Sequence, residues 1–214
     1  MIDILLCILM GYAIGCISPS VIISKILHRN LKEEGTGNYG ATNVTMVLGR
    51  GFGVFVMLFD IGKGALAYLL AEWIFGNLTV AGLICGFGAI VGHSYPFYNK
   101  FRGGKGLAAY GGVILAYNPL LFVIVLACAI VLMLIVNYSF IFPYAGSLLV
   151  CIFATLKTQS LHVFIALALM AALVMIKHFP NLKKAFKSTD ICVRDYIAKH
   201  ILKKKNQDGE TKYE

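Results

Sequence analysis

Between Leu120 and Val136 the chain carries no charged, amide or hydroxyl side chain, and that run dictates the environment of the whole molecule. Backbone polar groups in so long an apolar stretch need internal partners, which a helix provides, and an apolar surround, which a bilayer provides. Comparable runs recur at about Ile4 to Leu27, Gly51 to Phe75, Thr79 to Tyr95, Leu107 to Tyr117, Phe140 to Leu156 and Leu161 to Met175. With 14% charged residues against 59% hydrophobic ones, little is left over for a soluble domain. The expected fold class is all-α, a polytopic membrane protein with seven transmembrane helices. Leu107 to Tyr117 is short, either a span that borrows length from its flanks or a re-entrant segment, and the charge pattern favours the span. Met1-Ile2-Asp3 lacks a basic leader and the first apolar run continues too far for a cleavable signal.

Orientation follows from where the cations fall. With seven spans, Arg29, Lys32, Arg50, Lys100, Arg102, Lys105 and the tail lysines and arginines share one side, while the other keeps little beyond Lys157. Positive charge marks the cytoplasmic face, so the N-terminus is expected outside and the C-terminus in the cytoplasm. Residues 1–187 read as one integral-membrane domain and 188–214 as a basic tail. From Leu182 to Leu202 the apolar residues have helical spacing, which suits either a helix lying on anionic lipid headgroups or a solvated tail that enforces topology. The six cysteines are scattered through apolar runs and read as small core residues; no metal and no cofactor is expected.

Two polar islands interrupt the apolar runs. Gly35-Thr36-Gly37-Asn38-Tyr39-Gly40-Ala41-Thr42-Asn43, continuing to Arg50, combines glycines with amides and hydroxyls. Glycine reaches positive φ at no steric cost, so such a stretch can aim several N–H groups into one anion-binding concavity. Lys100-Phe101-Arg102-Gly103-Gly104-Lys105-Gly106 adds explicit charge, and Arg102 and Lys105 are suited to phosphate oxygens. The first island lacks the spacing of a nucleotide P-loop. Both islands are expected at the cytoplasmic face, where they would hold a small phosphorylated substrate through Gly37, Asn38, Asn43, Arg102, Gly103 and Gly104. Asp60 and Lys63, three apart in one apolar run, must pair with each other or with a neighbouring helix, as a structural pair or as part of an ion or proton path. His93 reads as a hydrogen-bonded structural group. His178 and Asn181 share a helix face if the helix survives Pro180.

The stretches Gly35–Asn43, Asp60-Ile61-Gly62-Lys63-Gly64, Gly92-His93-Ser94-Tyr95-Pro96 and Phe101–Gly106 together resemble the bacterial PlsY family of integral-membrane acyl-phosphate:glycerol-3-phosphate acyltransferases. The resemblance covers about Leu5 to Lys187. It implies seven spans in the bacterial inner membrane and an active site open to the cytoplasm. The implied activity moves a fatty acyl group from acyl phosphate to the 1-hydroxyl of sn-glycerol 3-phosphate, giving lysophosphatidic acid for phospholipid synthesis. Acyl phosphate would come from a separate enzyme, and no nucleic acid is implied. Carried over by position, Thr36 stands where a serine is usual, Lys105 and Gly104 match the phosphate-binding loop, and His178 with Asn181 matches the last motif. Thr36, Lys105, His178 and Asn181 are thus the implied catalytic residues. The chain departs from the family pattern at Met46, where arginine is usual, at Asn137–Pro143, which keeps only a displaced Ser139, and at Phe179-Pro180, where arginine and glutamate are usual. Arg50, one turn beyond Met46, is placed to reach the same anion. Two other classes fit parts of the sequence: a transporter of a phosphorylated metabolite, suggested by Asp60 and Lys63, and a catalytically impaired family member with a binding or regulatory role.

Overall fold

In the computed structural model residues 2–186 are described, as helices joined by turns and irregular segments; the tail expected at 188–214 lies outside the described residues. The helices are α1 (Ile2–Cys16), α2 (Pro19–Ile26), α3 (Ala41–Leu48), α4 (Arg50–Ile74), α5 (Ala81–Ser94), α6 (Leu107–Tyr117), α7 (Pro119–Val136), α8 (Ile141–Thr158) and α9 (Leu161–Phe186), with a 3₁₀ turn at Phe97–Asn99. Their ends follow local chemistry. At the start of α7, Pro119 takes the first helical position and the Asn118 side chain accepts from the Leu121 amide at 2.9 Å. Its far end closes on Asn137 in the left-handed region.

Five segments have the length and apolar character to cross a bilayer: α1 with α2 (Ile2–Ile26), α4, α7, α8 and Leu161–Lys183 of α9. At 1.5 Å per residue α5 and α6 reach roughly 21 and 16 Å, short of a ~30 Å hydrocarbon core. Large apolar side chains cover the outer faces of these helices; Leu120, Val123, Val131 and Ile135 of α7 are exposed, as suits contact with lipid.

Helix α5 sits at the centre, packed against α1, α4, α6 and α9. Lipid chains are as apolar as leucine, so helices in a membrane associate through close packing rather than water release. The α1–α5 contact shows this reciprocally. A Cβ on Gly11 of α1 would lie 1.9 Å from the Cys85 carbonyl oxygen, and one on Gly92 of α5 would lie 2.2 Å from that of Tyr12. Between α4 and α6, Gly64 and Gly112 do the same against Ala109 and Ile61.

Two local expectations change. Ala41–Leu48, read from sequence as part of an irregular polar loop, is helix α3, entered through extended Gly40 and ended by Gly49 at φ 98°. Pro180 does not stop α9, which runs through it to Phe186. Proline removes one intrahelical hydrogen bond, and here both Pro180 and Ile176, the residue that loses its donor, lie on the exposed side of the helix.

Candidate functional site

The break between α1 and α2 is where the site begins. Pro19 cannot donate to the helix, and Ser18 before it is extended (φ −121°, ψ 101°), so the chain bends and frees carbonyls. The Cys16 oxygen accepts from the Tyr98 hydroxyl at 2.7 Å and the Ile17 oxygen from Lys63 Nζ at 3.0 Å. Ser20 donates to the Tyr39 carbonyl at 2.7 Å. Tyr98 belongs to the approach to the basic island and Tyr39 to the first island. Both polar islands are therefore fastened to one bend.

The first island is held by its own side chains. Asn43 is fully enclosed; its Oδ1 accepts from the Thr36 amide at 2.5 Å, and its Nδ2 donates to the Leu31 and Asn38 carbonyls, each at 2.8 Å. Asn38 in turn donates to Thr36 Oγ1 at 2.7 Å and accepts from the Gly40 amide at 2.7 Å. Because Thr36 Oγ1 is the acceptor in that pair, its hydroxyl hydrogen remains available to donate elsewhere. Gly35 and Gly37 adopt φ 58° and 73°, the left-handed turns that the glycines promised. At the outer edge Arg29 pairs with Glu34, whose carboxyl is held below its ordinary range by hydrogen bonds and charge from the guanidinium.

The basic island is braced from outside. The Gly103 and Gly104 amides donate to the Ser94 and His93 carbonyls, each at 3.2 Å, so the loop lies against the end of α5. Their glycines are needed for proximity. A Cβ on Gly103 would stand 2.1 Å from the His93 carbonyl oxygen, and one on Gly104 would stand 2.1 Å from His93 Nε2. Their N–H groups thus bond the end of α5. Lys105 Nζ reaches α9 and donates to Asn181 Oδ1 at 2.8 Å. Arg102 is exposed, as is Arg50 at the start of α4.

Because α9 continues through Pro180, His178 and Asn181 do share a face. His178 is buried, and with Val174 O at 2.8 Å as acceptor its Nδ1 carries hydrogen, leaving Nε2 the acceptor nitrogen of the neutral ring. Lys177 beside it donates to the Ser94 carbonyl at 3.1 Å, and its ammonium lies 4.1 Å from the Tyr95 ring centroid. Tyr144 near the start of α8 donates to the Met175 carbonyl at 3.0 Å, bringing the α7–α8 turn with Ser139 to the same end of the bundle.

Below the basic loop lies a buried ionic group. Asp60 Oδ1 is 2.8 Å from Lys63 Nζ and 3.3 Å from His93 Nδ1, and the three side chains are almost inaccessible. These are ion-pair contacts rather than well-aligned hydrogen bonds. Lys63 closes on Asp60 and on the Ile17 carbonyl, so the two residues do pair with each other. The sequence had not linked His93 to them, although Gly92–Pro96 is one of the stretches singled out; a contact between α4 and α5 is not visible along either helix. Lys177 and Tyr144 were missed for the same reason. Among the described residues no three His, Cys, Asp or Glu side chains gather as metal ligands would.

Fold and site together define a multi-pass helical membrane protein with cationic and amide side chains gathered at one end of its bundle. The family model for glycerol-3-phosphate acyltransferase matches residues 5–188. A glycerol-3-phosphate acyltransferase of Thermoanaerobacter pseudethanolicus is 32% identical over 183 residues, covering 85% of this chain and 91% of that protein. One from Streptococcus thermophilus is 39% identical over 195 residues, covering 85% and 89%. The crystal structure of PlsY, an integral membrane glycerol 3-phosphate acyltransferase, in its glycerol 3-phosphate form matches with a TM-score of 0.81 at 27% identity, covering 87% of this chain and 94% of that one. Its lysophosphatidic acid form matches with a TM-score of 0.78. The chain belongs to the glycerol-3-phosphate acyltransferase family.

Proposed function

We propose that this protein transfers a fatty acyl group from acyl phosphate to the 1-hydroxyl of sn-glycerol 3-phosphate, giving lysophosphatidic acid and inorganic phosphate. The observation that carries the reading is the 2.8 Å contact between Lys105 and Asn181, which joins the basic loop to the His178 face of α9, while the first island and the approach to the basic loop are tied to the same α1–α2 bend. Two substrates that both bear phosphate need cations and amide donors around one recess, and this is where the chain concentrates them. Lys105 offsets phosphate charge, and Arg102 and Arg50 add positive potential at the mouth. Asn181 and Thr36 donate to substrate oxygens, and His178 Nε2 accepts from the glycerol 2-hydroxyl, which orients the 1-hydroxyl for attack. Asn38 shapes the loop with Gly37, Asn43 locks that loop from beneath, and Ser139 lies at the rim.

The chemistry asks little more of the protein. Acyl phosphate is a mixed anhydride with a stable leaving group. The 1-hydroxyl oxygen attacks the acyl carbon, the carbon–oxygen bond to phosphate breaks, and the departing phosphate takes the hydroxyl proton. Positioning two anions and offsetting their charge then accounts for most of the catalysis. Neither Met46 nor Pro180 removes this set: Arg50 opens α4 just beyond the Gly49 break that follows Met46 in α3, and α9 keeps Asn181 on the His178 face through Pro180.

The finer topology belongs to the same proposal. Seven spans result when the short α5 and α6 are counted, with the N-terminus outside, the C-terminus in the cytoplasm and the recess facing the cytoplasm of a bacterial inner membrane. A separate enzyme would deliver acyl phosphate there, and the basic tail would rest on anionic headgroups. The deciding experiment supplies purified protein in lipid with acyl phosphate and labelled glycerol 3-phosphate. Labelled lysophosphatidate is the expected product. Binding of glycerol 3-phosphate without product would instead identify a catalytically impaired relative.

A further inference from the structure

We propose that Asp60, Lys63 and His93 form a buried post that sets the height and angle of the basic loop, with His93 acting on it through Gly104 as a positioning residue. The inference rests on the acyltransferase reading for its kinetic readout, but not for its structural one.

The geometry runs from α4 to the loop without interruption. Asp60 and Lys63 lie three apart on α4, one turn of the same face, and their charges cancel at 2.8 Å. Lys63 also holds the Ile17 carbonyl at 3.0 Å, so the pair is referenced to the α1–α2 bend. The same carboxylate oxygen faces His93 Nδ1 at 3.3 Å and fixes that imidazole on its other side. The ring's far nitrogen is then the surface on which the loop rests. A Cβ on Gly104 would meet Nε2 at 2.1 Å, Cε1 at 2.8 Å and Cδ2 at 3.2 Å, all atoms of this one ring. Nothing else stands nearer to that position, so at Gly104 the ring limits how low the loop can sit. The next residue is Lys105, whose ammonium meets Asn181 at 2.8 Å.

A charged group in an apolar bundle is costly, and two apolar residues of similar volume would fill the space. What a rigid ion pair adds is a fixed ring orientation. Misplacement of a binding group by about 1 Å can cost on the order of 100-fold in rate, so a loop bearing Lys105 benefits from a stop that cannot slide. The arrangement also explains why Gly104 bears no side chain although its backbone amide already has a partner in His93 O.

A compensation cycle tests this with the full chain in lipid nanodiscs. His93→Ala removes the ring but leaves the Asp60–Lys63 pair intact, so the buried charge stays balanced. Gly104→Ala pushes a methyl against the ring without touching the ionic group. Each single change should raise KM for glycerol 3-phosphate by roughly ten-fold or more, with a smaller change in kcat, and should speed amide exchange across 97–106 while leaving α7 and α8 unchanged. In the double variant the methyl occupies space the ring vacated, so KM and exchange should both return toward wild type, well short of the product of the single effects. Additive effects, or loss of active protein at unchanged KM, would overturn the positioning role. If wild-type protein makes no lysophosphatidate, the acyltransferase reading fails, and the exchange measurement still decides whether His93 sets the loop.

Discussion

The two polar islands of this protein look alike on paper and are built in opposite ways. The first, from His28 to Arg50, is self-contained: Asn43 and Asn38 thread its turns together, and a single fully enclosed amide makes three hydrogen bonds to its backbone. The second, from Lys100 to Gly106, has few bonds of its own and leans on α5, on the ionic group beneath His93 and on Asn181 of α9. A loop held by its own amides keeps its shape wherever it is attached. One held by its neighbours reports every shift in the helices. The chain places Lys105, whose ammonium reaches Asn181, on the second kind.

That contrast can be broken experimentally, starting at the ionic group. Asp60→Ala leaves Lys63 buried without its counter-charge and should cost about 3–5 kcal/mol of stability, read as a large fall in unfolding temperature in detergent. A loss below about 1 kcal/mol would mean that the pair braces nothing. Lys105→Ala should leave stability close to wild type but lower kcat/KM by about 10²–10³-fold, whereas Lys157→Ala, exposed at the far end of α8, should be silent in the same assay. Equal losses would put the site elsewhere. Asn43→Ala attacks the first island from inside and should cost about 1–3 kcal/mol through orphaned backbone groups; hydrogen exchange should rise across 31–43 and not across 97–106. The smallest effect belongs to Glu34. Its carboxyl is depressed by Arg29, so any stabilisation is present above the ordinary carboxylate range and fades as pH falls through the lowered value. Both partners are solvent-exposed and screened, so Glu34→Gln should shift the unfolding temperature at neutral pH by no more than about one degree.

Much of this architecture could be read along the chain. Bilayer residence follows from runs such as Leu120–Val136, because no other solvent tolerates them. The kink at Pro19 and the need of Asp60 and Lys63 for one another follow from backbone and charge chemistry within a single segment. Pro180 misled in the other direction: proline usually ends a helix, but at an exposed position the missing hydrogen bond costs little enough that α9 continues and delivers Asn181 to the His178 face. Helix α3 escaped notice because Ala41–Leu48 is short and rich in threonine and asparagine, residues with weak helical preference, and it gains its order from packing of Val44 beside Leu31 and Val56.

By itself, then, the sequence determined the solvent, the helical class and the residue types able to hold phosphate, since hydropathy, glycine and charge act locally. Only the tertiary structure decided that Gly103 and Gly104 lie close against the end of α5, and that His93 stands between Asp60 and the loop. Both depend on distances between helices that are remote in sequence, which arise from close glycine contacts of α5 with α1 and of α4 with α6. Such contacts have no signature in either partner alone, because a small residue becomes an approach point only when another backbone arrives against it.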